Sequence, residues 1–180
     1  NASLWRFDEV DVTNAQATIG STLVEQGKVT TGIGNKDQAI IRATLRVTGL
    51  EGSVKFESVR GMLVGDRGDV TNVKAYFATN ERELFIDSEE RKMPWREENG
   101  ELFGQTSSIS GSKAFTITGE KELIPGDYYL WITYDIAETA KEGNLVDASI
   151  TSYTIDGKEV AENNGNPKHS VTIFLSEGAV

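Results

Sequence analysis

Cysteine is absent from this chain. That excludes disulfide staples, zinc–thiolate centres and a cysteine nucleophile together. It leaves the compartment open, because cytosolic and exported bacterial proteins alike can do without cysteine. Histidine occurs once, at His169. A Ser-His-Asp triad would have to use it, yet the adjacent Ser170 faces the other way on a strand, and no G-x-S-x-G turn surrounds any serine. His169 reads as a solvated residue at a loop end. Basic residues are outnumbered: 18 Lys and Arg stand against 28 Asp and Glu, for a net charge of −10 and a pI near 4.6. Such a chain repels polyanions, so nucleic acid is not expected as a partner. No apolar run is long enough to cross a bilayer. The first residue is Asn1 rather than Met, and no charged region followed by an apolar stretch opens the chain. An exported protein (periplasmic, cell-surface or secreted) whose signal has been removed is the expectation.

Proline is scarce, with 3 residues, whereas glycine contributes 18. Amphipathic helical patterns are hard to find, and alternation with period two is everywhere. The clearest instance runs from Ile41 to Thr48, where Ile41, Ala43, Leu45 and Val47 alternate with Arg42, Thr44, Arg46 and Thr48. That is a strand with one buried and one wet face. Ala17, Ile19 and Leu23 mark an earlier strand, and Val54 and Phe56 the next, running toward Met62 and Leu63. Val73, Ala75 and Phe77, then Phe115 and Ile117, then the aromatic stretch Tyr128 to Ile136, mark three more. Val146 to Ile155 and a closing run of Val171, Ile173 and Leu175 complete the set. Turn chemistry separates them, and Asp156-Gly157 is a two-residue hairpin signal. Glu138 to Glu142 suggests at most a turn or two of helix before Gly143. With no linker or compositional break, residues 1–180 read as one all-β domain, an antiparallel β-sandwich.

Reaction chemistry is hard to assemble. Acidic residues are too abundant for any carboxylate pair to stand out as a glycosidase dyad. Gly32-Ile33-Gly34 lacks the following helix that a phosphate cradle needs. Calcium is the one cation the residues could suit, through the loop or strand-end acids Asp127, Asp135 and Asp147; no EF-hand spacing is present, and no cofactor is assigned beyond that structural calcium. Arg67-Gly68-Asp69 reads as turn chemistry rather than an adhesive loop, with Asp69 opening the next strand.

The aromatics carry the functional expectation. A pyranose offers a C–H face that stacks on Trp or Tyr, while its hydroxyls take polar partners at the rim. Trp95 lies in Arg91-Lys92-Met93-Pro94-Trp95-Arg96, flanked by Glu89-Glu90 and Glu97-Glu98. Pro94 disfavours helix and central strand alike. An aromatic in a charged loop, beside guanidinium groups, has the parts needed for an acidic sugar. Trp95 is expected to stack, with Arg91 and Arg96 contacting an anion. The competing reading makes Trp95 a loop anchor. Tyr129 and Trp131 form the reserve platform, although Trp131, in an apolar strand, is expected to fill the core or the space between sheets.

One stretch, Leu123-Ile-Pro-Gly-Asp-Tyr-Tyr-Leu-Trp-Ile-Thr-Tyr-Asp-Ile through to Ala148, resembles the non-catalytic (BNR-associated) N-terminal domain that precedes the propeller of bacterial BNR-repeat sialidases. Asp69-Val70-Thr71-Asn72-Val73-Lys74-Ala75-Tyr76, Phe103-Gly104 and Gln38 to Gly49 resemble further parts of it, in the same order. Where that family is expected to have Asn-Tyr-Phe-Trp, this chain has Tyr128-Tyr129-Leu130-Trp131. The resemblance implies a jelly-roll-like sandwich, similar to carbohydrate-binding modules. It also implies a larger exported sialidase with a C-terminal catalytic propeller as partner, and a host glycan, sialylated or galactose-terminated, as ligand. No Ser-x-Asp-x-Gly repeat occurs in this chain, so the domain itself is expected to be non-catalytic. The alternative is a structural spacer or adhesion sandwich with no sugar site, and a free-standing enzyme is the third reading.

Overall fold

A computed structural model describes residues 15–27, 29–86, 97–168 and 171–174. Among these described residues eleven strands follow in order: β1 Thr18–Glu25, β2 Val29–Gly32, β3 Gln38–Thr48, β4 Val54–Val64, β5 Val70–Ala78, β6 Gly100–Thr106, β7 Ala114–Leu123, β8 Gly126–Ile136, β9 Leu145–Ile155, β10 Lys158–Ala161 and β11 Val171–Phe174. A five-stranded sheet has the order β1-β3-β8-β5-β6, and the six-stranded sheet has the order β2-β11-β9-β4-β7 with β10 on β9. Every pairing is antiparallel except β2 with β11, which is parallel. Between β3 and β9 the chain repeatedly crosses from one sheet to the other, the jelly-roll-like habit that the family resemblance implies.

The core lies between the sheets. Leu130, Ile132 and Tyr134 of β8 are fully buried against Phe56, Val59, Ile117, Ile150 and Tyr153. Phe56, Phe77 and Phe103 meet edge to face, with centroids 5.1–5.6 Å apart; such contacts add to the area they bury. The Tyr134 hydroxyl donates to the Asp147 carbonyl at 2.7 Å, so its burial leaves no orphan donor. One flank is closed where β6 and β7, edge strands of different sheets, nearly touch. A Cβ on Gly104 would stand 2.2 Å from the Thr118 carbonyl oxygen, so only glycine fits there.

Several expectations need correcting. In β1 the inward residue is Val24, 7% exposed, whereas Leu23 is 55% exposed. A bulge between Ile19 and Ser21 shifts the phase, so Ile19 leans on the core and Leu23 does not. Arg67–Asp69 is a 3-10 turn, and the strand begins at Val70 rather than Asp69. Asp69 is buried and faces inward, accepting from Lys141 N at 2.9 Å and Asn144 Nδ2 at 2.7 Å. No adhesive tripeptide is therefore displayed. The Asp156-Gly157 hairpin forms as read, with φ of 51° and 73°. Residues 138–143 form turns and no helix.

Candidate functional site

Inward Leu130, Ile132 and Tyr134 force their alternating neighbours Tyr129 and Trp131 onto the outer face of the five-stranded sheet. Both are half-buried there. This corrects the expectation that Trp131 fills the core or the space between sheets. The structure brings Tyr129 and Trp131 onto one face, two residues apart on β8. Trp95, Arg91 and Arg96, as well as His169 and Leu175, lie outside the described residues.

Register decides the neighbours of Trp131. It faces Arg42 on β3 and Tyr76 on β5, and Arg42 in turn faces Glu25 on β1. A row Glu25–Arg42–Trp131–Tyr76 thus crosses four strands. The Arg42 guanidinium lies 5.6 Å from the Trp131 ring centroid, within cation–π range, and its Nη2 donates to Glu25 Oε2. Trp131 Nε1 and Arg42 Nε are both buried without a hydrogen-bond partner. Two orphan donors side by side are costly and uncommon in native structures.

Beside this row lies a cleft of about 670 Å³. Val24, Val29 and the β3 segment around Ile40 form its apolar side, and Trp131, Gln26, Gln38, Arg42, Arg82 and Lys168 bring the aromatic and polar groups. A second bulge, between Ala39 and Ile41, opens β3 at this point. Among the described residues its cationic lining is Arg42, Arg82 and Lys168, against the carboxylate of Glu25, and Arg82 also has Glu81 Oε1 4.0 Å from its Nε. The sign of the cleft therefore opposes that of the chain. A further concavity of about 790 Å³ beside β6 is unlike it: Glu98, Glu101 and Asp127 face Lys121, and its rings Phe77 and Tyr128 pack edge to face with each other.

On the other side of Trp131 a charged network anchors the sheet. Lys74 Nζ donates to Asp37 at 2.9 Å and to Asp135 at 3.2 Å, and the Tyr76 hydroxyl donates to Asp37 at 2.8 Å. Burial works against the Lys74 charge, but the hydrogen bonds and charges of Asp37 and Asp135 outweigh it and raise its pKa above the ordinary 10.5. Burial, reinforced by Asp37, also pushes the Tyr76 phenol well up, so it stays a donor. Asp37 holds a positive φ of 53°, a conformation Asp tolerates better than most residues.

The three acids considered for calcium have separate partners: Asp127 pairs with Arg46, Asp135 with Lys74, and Asp147 accepts from Gln26 Nε2 at 2.5 Å. Among the described residues no group of three or more His, Asp or Glu is placed to hold a metal ion. Among them, too, no helix is long and apolar enough to cross a membrane.

Sequence reasoning put Arg42 on a wet face but not in a site, and it passed over Glu25, Gln26, Gln38, Arg82 and Lys168. The available signal was the pair of outward-facing alternations, Arg42-Thr44-Arg46 and Tyr129-Trp131. What it lacked was that these two strands are neighbours.

No family model matches the sequence, and no curated protein matches it. Among solved structures, the Hadza microbial sialidase Hz136 superposes with a TM-score of 0.63 at 12% identity, covering 83% of this chain. The two share a fold. The chain spans 30% of the length of that sialidase. A cohesin module from a Clostridium perfringens ATCC13124 family 33 glycoside hydrolase aligns over 88% of this chain and 99% of its own, at 14% identity and a TM-score of 0.36.

Proposed function

We propose that the chain is a non-catalytic carbohydrate-binding domain of an exported, sialidase-type glycoside hydrolase, and that its sugar site is the Trp131 cleft. The observation that carries this reading is Trp131 itself: a tryptophan on an outer sheet face, beside a cleft with three cations in an otherwise acidic domain. The ring supplies the stacking surface, Arg42, Arg82 and Lys168 suit a ligand carboxylate, and Gln26 and Gln38 suit hydroxyls. The fold shared with a segment of a sialidase supports an accessory role. Such a site binds one sugar weakly, because sugars offer little apolar area and their polar groups must exchange water for protein. Its value lies in holding a tethered catalytic propeller near its substrate, which raises effective concentration.

Glycan-array binding tests the reading. Trp131→Ala is expected to lower affinity by about 30-fold or more, the scale of a buried aromatic anchor. Trp95→Ala is the parallel arm, since Trp95, Arg91 and Arg96 are the other proposed site. Loss with Trp95→Ala and retention with Trp131→Ala moves the site to that loop. Silence of the wild type on a broad array favours the spacer reading, and turnover of a fluorogenic sialoside by this chain alone overturns the non-catalytic one.

A further inference from the structure

We propose that Glu25 is an exchangeable internal counterion: its carboxylate sits on Arg42 where the carboxylate of an acidic sugar sits when one binds against Trp131. This rests on the reading of the cleft as a glycan site and goes further, to the class of sugar and the residue that tunes its affinity.

Two arginine–carboxylate pairs cross the same sheet face, and they are built differently. Arg46 grips Asp127 with two bonds, Nε to Oδ1 at 2.9 Å and Nη2 to Oδ2 at 3.2 Å. That is the planar fork in which guanidinium and carboxylate match best. Arg42 meets Glu25 through Nη2 alone, and its Nε–H is buried and unpaired. A saturated fork has nothing to offer a ligand. A half-used one has a donor in reserve, aligned with the donor already in use.

Exposure says which partner stays. The Arg42 side chain is 14% exposed, whereas that of Glu25 is 51% exposed. Arg42 is also held against the Trp131 ring. Glu25 is the last residue of β1, at the mouth of the cleft. The guanidinium is therefore fixed and the carboxylate can swing into solvent. A ligand carboxylate laid across Nε and Nη2 would satisfy both donors, as Asp127 does for Arg46, with the sugar ring beside the indole. Lys168 favours that anion, Arg82 is shared with Glu81 at 4.0 Å, and Glu25 is the only carboxylate lining the cleft among the described residues. Half-exposed ion pairs contribute little, so the competition from Glu25 weakens acidic ligands by about two- to fivefold at most.

The test compares wild type, Glu25→Gln and Trp131→Ala on immobilised oligosaccharides ending in sialic, glucuronic or galacturonic acid, with their neutral counterparts alongside. Glu25→Gln keeps the size of the side chain at an exposed position, and a melting curve verifies its fold. The expected result is a two- to fivefold gain for one or more acidic glycans, no change for neutral ones, and loss of both with Trp131→Ala. Unchanged or weaker acidic binding in Glu25→Gln, with Trp131→Ala still inactive, overturns the counterion and leaves the site standing. An equal gain for acidic and neutral sugars also overturns it, because removing an obstruction would do that. Binding that survives Trp131→Ala, or no glycan binding at all by wild type and Glu25→Gln, overturns the site and the counterion together; binding of neutral glycans alone, lost with Trp131→Ala, overturns the counterion.

Discussion

Replacing Lys74 by Met removes one positive charge and strands two negative ones. Lys74 Nζ bridges Asp37 at 2.9 Å and Asp135 at 3.2 Å, and the three side chains are only 15%, 18% and 12% exposed. At an effective dielectric of about 20, each contact is worth about 5–6 kcal/mol of attraction, much of it offset by desolvation of the three charges. Breaking a buried pair by deleting one partner costs about 3–5 kcal/mol; the residual exposure here lowers that to about 2–4 kcal/mol. For a chain of this size the melting temperature should fall by roughly 5–15 °C. A double-mutant cycle isolates the cause. Asp37→Asn suits the positive φ and still accepts from Tyr76, so Asp37→Asn in the Lys74→Met background should recover part of the loss, a coupling of about 0.5–3 kcal/mol. Because the Lys74 pKa is raised, its stabilisation is complete below 10.5 and is lost only as pH climbs through the higher folded-state value. The gap between wild type and variant should therefore stay flat with respect to Lys74 between about pH 7 and 9. A Lys74→Met protein melting within about 2 °C of wild type would refute the reasoning.

Gly104→Ala pushes a methyl group to 2.2 Å from the Thr118 carbonyl, and the edge strands must part; about 1–3 kcal/mol is expected from denaturant unfolding. Gly111→Ala, with nothing within 4 Å of its Cβ, is the control and should change stability by less than about 0.5 kcal/mol. Asp147 is a different kind of test. Burial raises its pKa above the ordinary 3.8, despite the hydrogen bonds from Gln26 and the Ala148 N–H. The folded state thus holds a proton more tightly than the unfolded one, so stability falls as pH rises from 3.8 through the raised value. Asp147→Asn should remove that slope in melts taken across the acidic range; an unchanged slope contradicts it.

Much of the fold was legible because alternation is a local property. Ile41-Ala43-Leu45-Val47 and Leu130-Ile132-Tyr134 declared their inward faces, and Asp156-Gly157 declared its turn. The errors fall where a bulge breaks the period. Leu23 was misassigned because one extra residue between Ile19 and Ser21 flips everything after it, and nothing in the composition marks the position. Short β2 and β10 and the seven-residue β6 were faint for another reason: β2 has one buried position and β6 and β10 have none, so no inward face stands out. The site was less legible than the fold because it is made by register. Arg42 and Trp131 are 89 positions apart in the chain and directly opposed in the sheet. Sequence reasoning sought the aromatic and the cations within one loop around Trp95, whereas this cleft gathers them from β3, β8 and the segments holding Arg82 and Lys168.

The most direct measurement follows the indole N–H resonances of Trp5, Trp95 and Trp131 by two-dimensional NMR, each assigned by single substitution, during titration with a sialylated trisaccharide. Trp131 lines the cleft, so a sugar seated against its ring should move its indole signal more than the other two. Movement confined to Trp95, or three stationary signals at saturating sugar, would contradict the placement of the site on the outer sheet face.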